Sequence, residues 1–179
     1  MPDILKIAIT PVALILGALL GTWRNGLDPR TEIGLQRPTV QHAVIFTAGF
    51  VAFMALHETL YWLAGMGDEE NAWRKYAAGA LALRVLFVGL VYPAAEELFF
   101  RGFLLGLITR KAGALAGIVA TALAFAALHG LAADGWIGPL LLFTDGAYFA
   151  FVRLRSGSLL LPVAFHILGN SVAIVQRLY

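Results

Sequence analysis

Glu96 and Glu97 stand side by side, and Arg101 follows four residues after the second. On a helix that spacing puts Glu97 and Arg101 on one face, where they can pair. Glu96 lies about 100° round the same helix. Two adjacent carboxylates oppose each other's ionisation, so an arginine that claims one leaves the other for a separate task. His129 stands alone, while His166 and Asn170 are again spaced i, i+4 on one face. All six residues lie in apolar stretches. Holding an ionisable group inside a bilayer costs about 2.5–3.5 kcal/mol, which makes each a functional candidate by default. Two bland readings stand beside that one. Glu97 with Arg101 is also what an ion pair anchoring two helices looks like, and a lone histidine in a span is commonly a satisfied core residue.

The elements that must position these groups follow from composition. Of 179 residues, 60% are apolar and only 13% are charged, against roughly 45–50% and 25% in soluble domains. The mean hydropathy of +0.80 points the same way. A soluble globular domain and a disordered chain are thereby excluded. A net charge of +2 without a basic tract argues against a nucleic-acid partner. With no cysteine, thiolate nucleophiles, disulfides and cysteine-based metal sites are excluded. An all-α, polytopic integral membrane protein remains, with the bilayer as its partner.

Apolar stretches of about 20 residues mark the spans. They run over about 4–23, 40–63, 76–109, 112–131, 136–152 and 159–175. The first resembles a signal peptide but is too long for one, and is read as a retained span. The third would be roughly 50 Å long as one helix, so it is either a long tilted helix or one broken near Pro93. About six transmembrane helices are expected, with the active site at the centre of the bundle. The whole chain, 1–179, reads as a single membrane domain, in which 1–75 supply two N-terminal spans and 76–179 a four-helix catalytic core. Arg24, Arg30, Arg37, Arg110, Lys111, Arg153 and Arg155 fall on one side. Lys6, Arg74, Lys75 and Arg177 fall on the other. The positive-inside rule puts the richer side in the cytoplasm.

Depth brings the polar residues together. Measured along each helix from the Arg-rich side, Glu96, His129, His166 and Asn170 lie roughly 20, 27, 14 and 20 Å in. Three helices thus place carboxylate, imidazoles and carboxamide in one layer near mid-membrane. A water-containing catalytic cavity is the reading that layer favours. A second set, His57, Glu58 and Arg84, is expected to form an ion pair between Glu58 and Arg84 near the outer side. Asp145 is expected to pair with Arg101 or to line the cavity.

Three motifs in order carry a resemblance. Glu96-Glu97-x-x-x-Arg101 is followed by Gly102, then Phe125-x-x-x-His129, then His166-x-x-x-Asn170. This pattern resembles the CPBP family, the CAAX-protease and bacteriocin-processing family also called Abi. The Gly146 to Leu159 approach to the last helix is similar too, with Ala150 where many members have a second glycine. So is Gly34-Leu35 before Arg37-Pro38.

The resemblance implies a glutamic-type intramembrane endopeptidase. Glu96 would be the base that activates water, and His129 would hold and polarise that water. His166 and Asn170 would stabilise the oxyanion, and Glu97 with Arg101 would form the supporting pair. The chemistry is self-consistent: peptide hydrolysis without a serine or cysteine nucleophile needs a base for water. Donors aimed at the developing charge contribute about 3–4 kcal/mol each. The resemblance implies no cofactor, a membrane-associated peptide or protein as substrate, and a prokaryotic cell membrane. Three other readings use the same residues. One is a zinc metalloprotease with a His-His-Glu site, although the chain has no His-Glu-x-x-His helix. Another is a non-catalytic immunity or scaffold protein held by an interhelical polar network. The last is an ion or proton carrier, for which the inverted repeat is lacking.

Overall fold

The computed structural model describes residues 2–65, 73–130 and 137–178. Its described residues form six helices and no strand: α1 Pro2–Asn25, α2 Val40–Leu63, α3 Ala78–Ala112, α4 Ala114–Gly130, α5 Ile137–Ser156 and α6 Leu160–Leu178. Five of the six, all but α4, contain a stretch long and apolar enough to cross a membrane. The fourth has 17 residues, roughly 25 Å of rise against a hydrocarbon core of about 30 Å. Against the six spans expected, five helices among the described residues are long and apolar enough to cross, and α4 is a shorter apolar helix. Leu131, where the fourth span was expected to end, and Trp136, where the fifth was expected to start, lie outside the described residues.

The long third segment is one helix of 35 residues. Pro93 does not break it. The helix instead widens twice into π-helical turns, at Phe87–Val91 and at Leu98–Leu104. Such turns are rare and concentrate at functional sites. Here they flank the short α-helical stretch Tyr92–Glu97 that carries both glutamates.

Glycines set two sharp connections. Gly113, at φ 87°, turns the chain from α3 into α4 within one residue. Gly157, at φ 71°, turns α5 towards α6. The antiparallel helices then pack closely. A Cβ on Gly146 of α5 would come within 2.9 Å of the Ala122 backbone of α4. Small residues permit this approach, which replaces the hydrophobic drive that lipid does not supply. Ala150 is fully buried on the same helix. α2 is held by aromatic stacking: Phe50 lies 4.5 Å from Phe165 at an interplanar angle of 4°, and Phe53 lies 4.4 Å from Tyr148 at 5°.

The segment between α1 and α2 is held by several side chains, of which Arg153 makes the most bonds. Arg153, near the end of α5, donates to Ile33 O at 3.1 Å, Glu32 O at 2.9 Å and Thr31 O at 3.1 Å. Gly34, at φ 83°, leaves no room for a Cβ beside that guanidinium. Ser158 Oγ donates to Gln36 O, and Gln36 Nε2 donates to Gly157 O. Arg110 reaches Asn25 O and lies 3.5 Å from Glu32. The Arg-rich positions therefore meet at one end of the bundle. At the other end Trp73 N donates to Arg177 O.

A lysine cannot serve three carbonyls in a fixed fork as arginine does. Arg153→Lys is expected to lower stability by about 1–2 kcal/mol and to open residues 26–36 to limited proteolysis. A wild-type digestion pattern would show that the fork is not what orders this segment.

Candidate active site

α3 brings Glu96 and Glu97 into the centre of the bundle on a regular α-helical turn, both buried. α4 contributes His129 near its C-terminus, and α6 contributes His166 and Asn170 near its middle. The two glutamates then diverge. Glu97 is fully buried, and its Oε1 accepts from Arg101 Nη1 at 2.7 Å and from His166 Nδ1 at 2.9 Å. Arg101 is fully buried too. Its guanidinium lies 4.4 Å from the Phe125 ring centroid, 5.6 Å from Phe149 and 5.7 Å from Phe100. The aromatic faces supply part of the solvation that the charge lost on burial.

Glu96 faces the other way, into a cavity of about 770 Å³. Its Oε1 lies 3.6 Å from His129 Nε2, and its Oε2 lies 3.7 Å from His166 Nε2. The tautomers follow from the partners. His129 Nδ1 is 2.9 Å from Phe125 O, and a carbonyl only accepts, so Nδ1 carries the proton. His166 Nδ1 donates to Glu97. Both rings therefore turn Nε2 towards Glu96. Phe125 packs against both, with ring centroids 4.3 Å from His129 and 5.8 Å from His166.

Asn170 lines the same cavity, and its Nδ2 donates to Val88 O at 2.8 Å. One amide N–H is thus committed to the backbone of α3, and one remains. The four residues singled out by sequence, Glu96, His129, His166 and Asn170, all line one cavity. Glu97 and Arg101 form the expected pair, but Glu97 also holds His166, which the spacing did not indicate. Among the described residues, no group of three or more His, Cys, Asp or Glu side chains is placed to hold a metal ion.

One expectation for the remaining charges needs correction, and of the two alternatives for Asp145 the cavity lining holds. Glu58 does not pair with Arg84. It accepts from Gln176 Nε2 at 2.7 Å, while Arg84 lies over the Tyr76 ring at 4.0 Å. The reason is register, since α6 rather than α3 presents its polar end to Glu58. Asp145 does not pair with Arg101, whose charge is taken by Glu97. It lines the cavity and lies 3.4 Å from His57 Nε2. Sequence reasoning missed Phe149, whose ring sits 5.5 Å from His166. No pattern around it gave a signal. It also missed the Val88 carbonyl, although Pro93 five residues on was the available signal.

Comparison with known proteins agrees with the resemblance in the motifs. No curated protein and no solved structure matches the chain. A family model, the Rce1-like type II CAAX prenyl endopeptidases, matches residues 77–172. That range contains Glu96, Glu97, Arg101, His129, His166 and Asn170, and it spans more than half of the chain. The protein therefore belongs to the Rce1-like family of type II CAAX prenyl endopeptidases, and is a CAAX-type intramembrane protease.

Proposed function

We propose that the chain hydrolyses a peptide bond of a membrane-associated peptide or protein with a water molecule activated by Glu96. The observation that carries this reading is the placement of one carboxylate between two Nε2 atoms from two other helices. All three face a cavity, and each imidazole is fixed from behind by its own Nδ1 partner. A water there donates one hydrogen to Glu96 and the other to the His129 Nε2 lone pair. Its own lone pair is then left for the substrate carbonyl carbon. Glu96 takes the proton as the C–O bond forms. The second N–H of Asn170 donates to the oxyanion, and His166, its Nδ1 on the Glu97 carboxylate, donates there from Nε2 when both ring nitrogens carry protons. Glu96 returns the proton to the amide nitrogen as the C–N bond breaks. A carboxylic acid and an amine leave.

The reading needs no metal. The zinc alternative would use Glu96, His129 and His166 as ligands with water in the fourth position. The scaffold alternative would leave them as a polar network. We take the membrane to be a prokaryotic cell membrane, with the end that gathers Arg110, Lys111, Arg153 and Arg155 on the cytoplasmic side. Candidate substrates are a leader peptide, a bacteriocin precursor or the C-terminal tail of a sorted surface protein.

The test is cleavage of a fluorogenic membrane-peptide panel by detergent-purified protein, with and without a chelator. Glu96→Gln is expected to lower kcat/KM by at least about 10²–10⁴-fold, because the base is gone and the shape kept. Its thermal midpoint should match the wild type. Turnover lost to the chelator and restored by zinc would replace this mechanism with the metal one. Activity retained in Glu96→Gln would remove the base from Glu96.

Glu97→Gln is expected to act on two quantities at once. It leaves Arg101 buried without its counter-charge, at a cost of about 3 kcal/mol. It also frees His166 Nδ1, so kcat falls beyond what the lost folded fraction explains. Thermal denaturation and kcat per folded molecule separate the two. A purely supporting Glu97 would change only the first.

A further inference from the structure

The first π-helical turn and Asn170 are linked through one backbone carbonyl. In a regular α-helix, the carbonyl of Val88 takes the N–H of residue 92 and that of Gly89 takes the N–H of residue 93. Residue 93 is proline, which has no N–H, and its ring crowds the carbonyl four residues back. The π turn changes the pairing. The N–H of Tyr92 reaches back five residues to Phe87 O. In that register the partner of Val88 O would be the N–H of residue 93, which is absent. The carbonyl without a helical donor has thus moved from Gly89 to Val88, about 100° round the helix.

That rotation decides what can satisfy it. Gly89 is buried against Ile174, since a Cβ there would lie 3.1 Å from Ile174 Cδ1. Val88 lines the cavity, as does Asn170 on α6. Asn170 Nδ2 donates to Val88 O at 2.8 Å. A carboxamide has two N–H donors. Fixing one on a backbone carbonyl fixes the direction of the other.

We infer that Pro93 is a positioning residue for Asn170. By lacking an N–H it leaves the Val88 carbonyl open, and the bond from Asn170 to that carbonyl orients the amide that faces the substrate. The inference deepens the reading above, because it rests on the role proposed there for Asn170. The proline thus does more than remove a bond from α3. It exposes an acceptor that ties α3 to α6 beside Glu96.

The experiment is a double-mutant cycle of Pro93→Ala and Asn170→Ala, read by thermal midpoint in detergent and by kcat and KM on the peptide panel. Asn170→Ala alone should lower the midpoint by about 4 °C, because it leaves the Val88 carbonyl without a donor. In the Pro93→Ala background the new N–H serves the helix, and the same change should cost about 1 °C or less. Pro93→Ala alone should keep or raise the midpoint. Its kcat should fall about 10-fold with KM unchanged, and the double variant should be no slower than Asn170→Ala. Additive midpoint shifts, or a Pro93→Ala variant with wild-type kcat, would overturn the inference. So would a Pro93→Ala variant that does not fold, since the added N–H must find an acceptor within α3. If the wild type cleaves nothing, the proposed function fails, and the midpoint cycle still decides whether Pro93 acts through Asn170.

Discussion

One oxygen atom organises the centre of this protein. Glu97 Oε1 accepts from Arg101 and from His166, so it joins α3 to α6 and neutralises a guanidinium that has no contact with solvent. A buried ion pair is weak evidence for stability, because desolvation offsets most of the attraction. What the pair supplies is direction. Arg101 can lie in its aromatic enclosure only with a carboxylate beside it. His166 can turn Nε2 to Glu96 only with Nδ1 engaged elsewhere. The neighbouring glutamate is thereby left facing the cavity alone.

Much of this was legible in the sequence, and the reason is helical geometry. The pairing of Glu97 with Arg101 follows from a spacing of four on one helix, and so does the common face of His166 and Asn170. Similar depth along three apolar stretches was enough to bring Glu96, His129 and His166 together. What spacing cannot give is rotation between helices. The His166 contact with Glu97, the Glu58 contact with Gln176 and the His57 contact with Asp145 all depend on it. The expected Glu58 to Arg84 pair failed for that reason, since similar depth does not place two residues on facing sides.

Irregular backbone was the other part that was hard to read. Pro93 signalled a disturbance in α3, and a break was one expected outcome. A π turn is the alternative that keeps the helix continuous, and it needs a donor elsewhere for the freed carbonyl. Asn170 supplies that donor, but it lies 82 positions away in sequence. The segment between α1 and α2 posed a similar problem. Its polar composition marked a loop, while its order comes from an arginine 120 residues later.

The cavity shows why the helices that carry no member of the proposed catalytic set are still required. Polar side chains at membrane depth must face the interior of a bundle or a water-filled space. Glu96, His129, His166 and Asn170 come from α3, α4 and α6, and α2 and α5 add His57, Glu58 and Asp145 to the lining of the same cavity. Without α2 the cavity would lose the part of its lining that His57 and Glu58 supply. In lipid α2 gains little from apolar burial, because lipid tails are as apolar as its own side chains. Its attachment therefore rests on directional contacts. The Phe50 and Phe53 stacks lie towards its middle, and the His57 and Glu58 contacts follow one to two turns later. The polar pairs that looked incidental to the chemistry are thus part of what holds α2 against the cavity.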